Sequence, residues 1–382
     1  MIDNYGRTIT YLRLSVTQLC NLRCRYCMPA DGVCKKSHDE MLTQEEMLWA
    51  VRASADLGVS KVRITGGEPL VKKNIVSICG QTAGVPGINE VCLTTNGIML
   101  PRLAADLKQA GVKRINISLD TLNEEKYNYI TRTGNLGQAL AGLEAALDAG
   151  FDKVKINSVL IGGFNDDEIR SLAELTLAYP VDVRFIELMP MYDSGDFGAD
   201  AYISGRKVLD MLPELTAADS AENRKAGHLS DFDMKMKPTA ACSAGLYMRT
   251  GQPAADRGKQ AGQEEHREHA ENVGYRTEET NGGYEEHGVA RLYKLPGAKG
   301  CVGLINPLSA HFCNECNRIR ITADGKIKPC LHSNAEYSIK GMNEEEMRTQ
   351  IKAAILSKPQ WHGELSAQNR SMAGRNMNQI GG

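Results

Sequence analysis

Six of the eleven cysteines fall into two groups whose spacing could bind metal. Cys20, Cys24 and Cys27 form a Cys-x-x-x-Cys-x-x-Cys triplet on one short loop. Three thiolates so close together can each hold one iron of a four-iron cluster, leaving the fourth iron without a protein ligand and open to chemistry. Structural zinc takes four ligands. Cys34, beyond Met28-Pro29, keeps zinc as the weaker alternative. Cys313, Cys316 and Cys330 make a second triplet, where His311 or His332 could complete a Cys₃His zinc site. Spacing alone does not choose between zinc and a cluster there. Cys79, Cys92, Cys242 and Cys301 match neither pattern and read as incidental or buried thiols.

The cations are grouped as well. Arg318 and Arg320 stand two apart in an expected strand, which puts both guanidinium groups on one face. Lys61 and Arg63 repeat the arrangement, and Arg13, Lys155 and Arg184 fall on polar faces of other expected strands. Arginine forks match phosphate oxygens, and several together balance the roughly four negative charges of a triphosphate. A single surface cation is ordinary solvation, but convergence near strand ends points to a bound anion. The grouping must be local, because the net charge of −2 provides no global attraction to nucleic acid or acidic membranes.

Positioning these groups falls to an alternation of strands and helices. Strands are expected at Tyr11 to Val16, Lys61 to Thr65, Glu90 to Thr94, Arg114 to Ser118, Val154 to Val159 and Asp182 to Glu187. Helical stretches separate them, the clearest beginning with the capping-box pattern Thr43-Gln-Glu-Glu46. Strands separated by helices imply parallel pairing. One strand face is apolar (Leu12-Leu14, Val62-Ile64, Val91-Leu93, Ile115-Ile117) and the other polar (Arg13-Ser15, Arg63-Thr65, Thr94-Asn96, Asn116-Ser118, Lys155-Asn157). A sheet covered by helices on both faces is nearly all apolar, and a closed barrel is filled with branched side chains. The pattern therefore predicts an α/β fold, an incomplete (β/α)₆ TIM-like barrel with a wet, basic lumen.

Composition sets the remaining expectations. Apolar residues at 42% and charged residues at 24% suit an ordinary folded protein. No run has signal-peptide or membrane-spanning character, so a cytoplasmic protein with neither nucleic-acid nor membrane partners is expected. In a reducing compartment this many cysteines argue for metal ligation over disulfides. The barrel is expected over 1–215. An acidic, flexible insertion without apolar periodicity follows over 216–288, and a smaller C-terminal domain over 289–382.

Cys20-x-x-x-Cys24-x-Tyr26-Cys27 after a strand resembles the signature of the radical S-adenosylmethionine superfamily. Thr65-Gly66-Gly67-Glu68-Pro69, after the next strand, is similar to that superfamily's methionine-binding motif. A glycine pair lets backbone approach a ligand, and Glu68 could accept from the methionine ammonium. Phe312-Cys313-Asn-Glu-Cys316-Asn-Arg318-Ile-Arg320, with Lys328-Pro-Cys330-Leu, resembles the second-cluster motif of the GTP 3′,8-cyclase family of molybdenum cofactor biosynthesis. The ending Gln379-Ile380-Gly381-Gly382 is similar to that family's double-glycine tail, which enters the active site.

The resemblance implies two [4Fe-4S] clusters on the two triplets, S-adenosylmethionine as cofactor and GTP as substrate. It also implies an external electron donor and product transfer to a downstream cyclic pyranopterin monophosphate synthase, and it leaves a homodimer open. The family's nucleotide contacts fall on Arg13, Arg63, Thr94, Lys155, Arg318 and Arg320, with Lys61 and Arg184 adding phosphate contacts. Its S-adenosylmethionine contacts fall on Tyr26, Gly67, Glu68, Ser118 and Met189, and its catalytic positions on Arg13, Gly381 and Gly382. The tail is expected to stay flexible until substrate binds. A peptide-modifying radical enzyme with an auxiliary cluster would be expected to carry cysteines beyond Cys330, and there are none. A non-catalytic zinc or iron–sulfur protein needs neither the basic lumen nor the Gly66-Gly67-Glu68 motif.

Overall fold

Six parallel strands form where the alternating pattern places them in the computed structural model, which describes residues 1–34, 36–191, 197, 199–218, 283–284, 289–363, 365 and 370–381. They are β1 (Tyr11–Ser15), β2 (Lys61–Thr65), β3 (Glu90–Thr95), β4 (Val112–Ser118), β5 (Lys153–Leu160) and β6 (Val181–Glu187). Each pairs with the next in chain order. Between them run α1 (Gln44–Asp56), α2 (Ile75–Ala83), α3 (Leu100–Gln109), α4 (Glu124–Thr131), α5 (Leu136–Asp148) and α6 (Ile169–Ala178). Leu12, Leu14, Ile64, Leu93, Ile117 and Ile156 on the outer strand faces share one core with Met47 of α1, Leu107 of α3 and Leu172 of α6. On the inner faces, Arg13, Arg63, Thr94, Asn116, Lys155 and Asn157 line a cavity. So polar an interior cannot be filled like a closed barrel core, because each unpaired group would carry a desolvation cost.

After β6 come α7 (Arg206–Met211), β7 (Thr216–Ala217), β8 (Gly283–Tyr284), β9 (Arg291–Lys294), β10 (Val302–Ile305), β11 (Arg318–Ile321), β12 (Lys326–Lys328), β13 (Tyr337–Ser338), α8 (Glu344–Leu356) and α9 (Met377–Ile380). The C-terminal strands build no sheet of their own. β10 adds in parallel to β6, with β9 beyond it, while β11 adds in parallel to β1 at the opposite edge, with β12 and β13 beyond. Met347, Ile351 and Ile355 of α8 enter the same core as α1. The smaller C-terminal domain read from sequence is thus an extension of the barrel sheet at both edges. Strands of two to four residues cannot bury a face alone, so they borrow one. Most of the segment 216–288, with Cys242 and Gly382, lies outside the described residues. Among the described residues no helix is long and apolar enough to cross a membrane.

The Thr43 capping box forms as expected. Glu46 N–H donates to Thr43 Oγ1 at 3.1 Å, and Thr43 N–H donates to Glu46 Oε2 at 2.7 Å. Glu46 also accepts from Lys340 Nζ at 2.7 Å and from Gly341 N–H at 3.0 Å, so this cap ties the barrel to its C-terminal extension.

A buried arginine makes a second tie. Arg7 Nε donates to Asp3 at 2.6 Å, Nη1 to the carbonyls of Cys313 at 2.8 Å and Gln360 at 2.9 Å, and Nη2 to that of Pro359 at 2.7 Å. Arg7→Met leaves a buried carboxylate and three carbonyls without their cation. It is expected to lower unfolding free energy by about 3 kcal/mol in urea titration. A loss below about 1 kcal/mol, the value of an exposed pair, would show the tie to be dispensable.

Candidate functional site

The loop after β1 carries the first triplet and is strapped to the end of α4. Arg23 N–H donates to Thr131 O at 3.0 Å and Arg25 N–H to Ile130 O at 2.9 Å. Arg132, in the left-handed region at φ 62°, sends Nη1 to the carbonyls of Arg23 at 2.7 Å and Met28 at 3.2 Å. Such a backbone angle is costly for a side-chain-bearing residue and persists only where its surroundings hold it. Gly66 and Gly67 serve this loop directly. A Cβ on Gly67 would lie 2.5 Å from Leu19 O, and one on Gly66 2.6 Å from Thr17 O. The close approach that needs glycine is therefore between two chain segments.

Burial pushes the Cys20 thiol up to about 11 and Cys27 up to about 12, and it raises Cys24 well above the ordinary thiol value. Thiols that keep their protons in the chain alone must surrender them to a bound metal. Among the described residues no three Cys, His, Asp or Glu side chains meet at one ion's position. Cys34 is exposed and does not line the cavity.

Around the first triplet, Tyr26 donates to Asp120 Oδ2 at 2.7 Å, and Val159 N–H donates to Asp120 Oδ1 at 2.9 Å. Burial raises the Asp120 carboxyl to about 6. Sequence reasoning missed Asp120, although the period-two inner face of Asn116 and Ser118 runs on to it. Glu68 lines the cavity, but protein donors already engage both its oxygens: Leu70 N–H at 2.9 Å, Thr95 Oγ1 at 2.7 Å and Asn96 N–H at 2.7 Å. Burial lifts it to about 7 against those donors. Ser118 and Met189 also line the cavity.

Strand register brings the arginines together. Arg320 of β11, Arg13 of β1 and Arg63 of β2 stand side by side across three strands. Burial and then the neighbouring Arg320 hold Arg13 well below the ordinary guanidinium value, and burial followed by Arg318 brings Arg320 down to about 10. The buried Nε atoms of Arg13 and Arg318, and the Oδ1 atoms of Asn116 and Asn157, have no hydrogen-bond partner. These cations repel one another in a polar lumen, and an anion would relieve that.

Tyr11, which the sequence reading did not single out, sits among them. Arg63 Nε donates to its hydroxyl, and the Lys61 and Arg318 head groups both lie 5.3 Å from its ring centre. Thr94 Oγ1 accepts from Arg63 Nη1 at 3.3 Å. Lys61 pairs with Glu90 at 3.1 Å, and Lys155 lies 3.9 Å from Asp182. Arg184 lines the cavity from β6.

The second triplet lines the same cavity as the first. Lys358, almost fully buried, bridges the carbonyls of Arg318 at 2.9 Å and Pro329 at 2.7 Å. Burial opposes ionisation of Cys316, but Lys358 and Arg318 outweigh it and lower its thiol. His332 and His362 line this end with ring centres 4.9 Å apart, while His311 stacks behind His362. Burial pushes His332 down to about 3, and its Nδ1 lies 3.1 Å from Ser371 Oγ.

The tail meets the lumen arginines. Gly381, at φ 86°, ends α9 inside the lumen, and its carbonyl accepts from Arg13 Nη2 and Arg320 Nη1, each at 3.2 Å. Asn378 Nδ2 donates to Gln18 O at 3.1 Å, and Ile380 packs with Met191 and Ala373. Two buried side chains and two guanidinium groups hold the tail.

The chain is similar to known proteins over its whole length. The sequence model of the radical SAM superfamily matches residues 14–176, and that of the molybdenum cofactor synthesis C-terminal region matches 247–364, starting inside the stretch that composition marks as an insertion. The GTP 3′,8-cyclase of Alkaliphilus oremlandii is 41% identical over 385 residues, covering 100% of both chains. That of Moorella thermoacetica is 39% identical over 387 residues, again covering 100% of both. Among solved structures, SuiB of Streptococcus suis bound to S-adenosylmethionine is similar at 17% identity, over 54% of this chain and 47% of that one, with a TM-score of 0.46. On the full-length relatives, the chain belongs to the radical SAM superfamily and, within it, to the family of GTP 3′,8-cyclases.

Proposed function

We propose that this chain converts GTP to 3′,8-cyclo-7,8-dihydroguanosine 5′-triphosphate in molybdenum cofactor biosynthesis. The observation that carries the reading is the set of mutually repelling, partly unpartnered arginines in a lumen between two cysteine triplets. Arg13, Arg63, Arg318 and Arg320 hold the triphosphate, with Lys61, Lys155 and Arg184 at its margins. Asn116 and Asn157 have acceptors to spare for sugar hydroxyls. Cys20, Cys24 and Cys27 would hold one four-iron cluster and Cys313, Cys316 and Cys330 a second.

The first cluster, when bound, supplies the electron that splits S-adenosylmethionine into methionine and a 5′-deoxyadenosyl radical. In a nucleotide held by these arginines, ribose C3′ would give up its hydrogen to that radical and then close on guanine C8. One further electron from an external donor and one proton complete the product, which passes to a downstream cyclic pyranopterin monophosphate synthase. Tyr26, Gly67, Ser118 and Met189 position S-adenosylmethionine at the first triplet. Glu68 joins them, its carboxylate oriented toward the cavity by Leu70, Thr95 and Asn96 at the end of β3. The inner sheet and the docked tail keep water and stray hydrogen donors from the radical.

The test is anaerobic reconstitution, with about eight irons expected per chain. Turnover of GTP deuterated at C3′ should place the label in 5′-deoxyadenosine and yield the cyclised nucleotide. Arg320→Met should raise KM for GTP at least roughly tenfold while uncoupled S-adenosylmethionine cleavage persists. Unlabelled 5′-deoxyadenosine, with no cyclised product at saturating GTP, would refute the reading.

A further inference from the structure

The one-turn helix α9 places Gly381 between Arg13 and Arg320, yet a single turn cannot hold itself together. Beyond the contacts of Asn378, Ile380 and Gly381, its placement rests on what precedes it. Just before the helix and its cap Asn376 stands Arg375, all three of whose guanidinium nitrogens are engaged. Nη1 meets both oxygens of Asp324, at 3.1 and 2.9 Å, while Nη2 and Nε meet the two oxygens of Glu336, each at 2.7 Å. Two forked contacts on one planar group fix its orientation as well as its position.

Neither carboxylate depends on Arg375 alone. Asp324, on the turn between β11 and β12, also accepts from Lys36 Nζ at 2.5 Å and from Thr322 Oγ1 at 2.5 Å. Glu336 also pairs with Lys328 Nζ at 3.4 Å. With Arg375 docked, three cations face two carboxylates. With Arg375 withdrawn, Lys36 and Lys328 still balance Asp324 and Glu336. Withdrawal would therefore leave neither Asp324 nor Glu336 without a cation.

We propose that Arg375 is the positioning residue of the C-terminal tail, a releasable ionic latch on Asp324 and Glu336 that sets where Gly381 enters the lumen. The latch reaches both triplets through their flanking chain. Lys36 lies in the segment after Cys27, and Lys328 two residues before Cys330. The latch itself does not rest on the GTP reading; only its effect on product yield does.

Hydrogen exchange measured on the reconstituted full-length enzyme separates the two. In Arg375→Gln, backbone amides of residues 376–381 should exchange at least about tenfold faster, with the β11–β12 turn and the thermal midpoint unchanged. Arg375→Lys should fall between wild type and Arg375→Gln, since a point charge replaces one fork and loses the other. If the GTP reading also holds, cyclised product per 5′-deoxyadenosine should fall with tail protection across the three proteins. Unchanged protection of 376–381 in Arg375→Gln would overturn the latch whatever the turnover. So would protection lost equally from the β11–β12 turn, which would make Arg375 a general structural residue. Faster tail exchange in an enzyme whose wild type never cyclises GTP would keep the latch and refute the function.

Discussion

Cys24→Ala, reconstituted anaerobically with iron and sulfide, is expected to release no detectable 5′-deoxyadenosine from S-adenosylmethionine under dithionite, a loss of at least roughly a thousandfold. Cys24 is the middle thiol of the first triplet, and its ionisation is opposed first by burial and then by Cys27. With it removed, two thiols remain for a group whose irons need one thiolate each, and the low-dielectric setting offers no substitute ligand. The variant should still fold. Cys24 shapes the loop through its backbone carbonyl, which accepts from Cys27 N–H at 2.9 Å and Met28 N–H at 3.1 Å, and alanine keeps that carbonyl. Iron should drop to about half, the share of one four-iron cluster in two. Cleavage at the wild-type rate would dismiss the first triplet as the redox centre.

Much of this site was legible because it lies on regular strands. Alternation with a period of two is a local property, so it placed Arg13, Arg63, Thr94 and Lys155 on one inner face before any partner strand was known. The capping box at Thr43 was legible for the same reason. What stayed hidden depends on residues far apart in sequence. No local pattern says that β11 pairs with β1 and β10 with β6, although those pairings set Arg320 beside Arg13. Arg7 meets Cys313 and Gln360 across the whole length of the chain. Motif reasoning singled out Glu68, which lines the cavity, but not the donors Thr95 and Asn96 that meet its oxygens.

Gly381→Ala is expected to leave fold and metal content unchanged and to cut formation of the cyclised nucleotide at least roughly tenfold, about 1.4 kcal/mol of barrier. Two independent obstacles stand behind that figure. Gly381 has φ 86°, a left-handed angle that costs a side-chain-bearing residue about 1 kcal/mol. An added Cβ would also lie 2.6 Å from Thr65 Oγ1 and 2.9 Å from Ser15 Cβ, both held by the sheet. Neither strand can retreat, since β1 and β2 are paired on both sides. The tail must give way instead, and the carbonyl shared by Arg13 and Arg320 moves with it. Two arginines that lose their common acceptor repel at closer quarters and swing out of register with a triphosphate. Affinity for GTP should change less than turnover, because the other lumen cations remain in place while the geometry at the reacting ribose is lost. Gly381→Ala with turnover within about twofold of wild type would mean that the tail merely plugs the lumen, and that its carbonyl orients nothing.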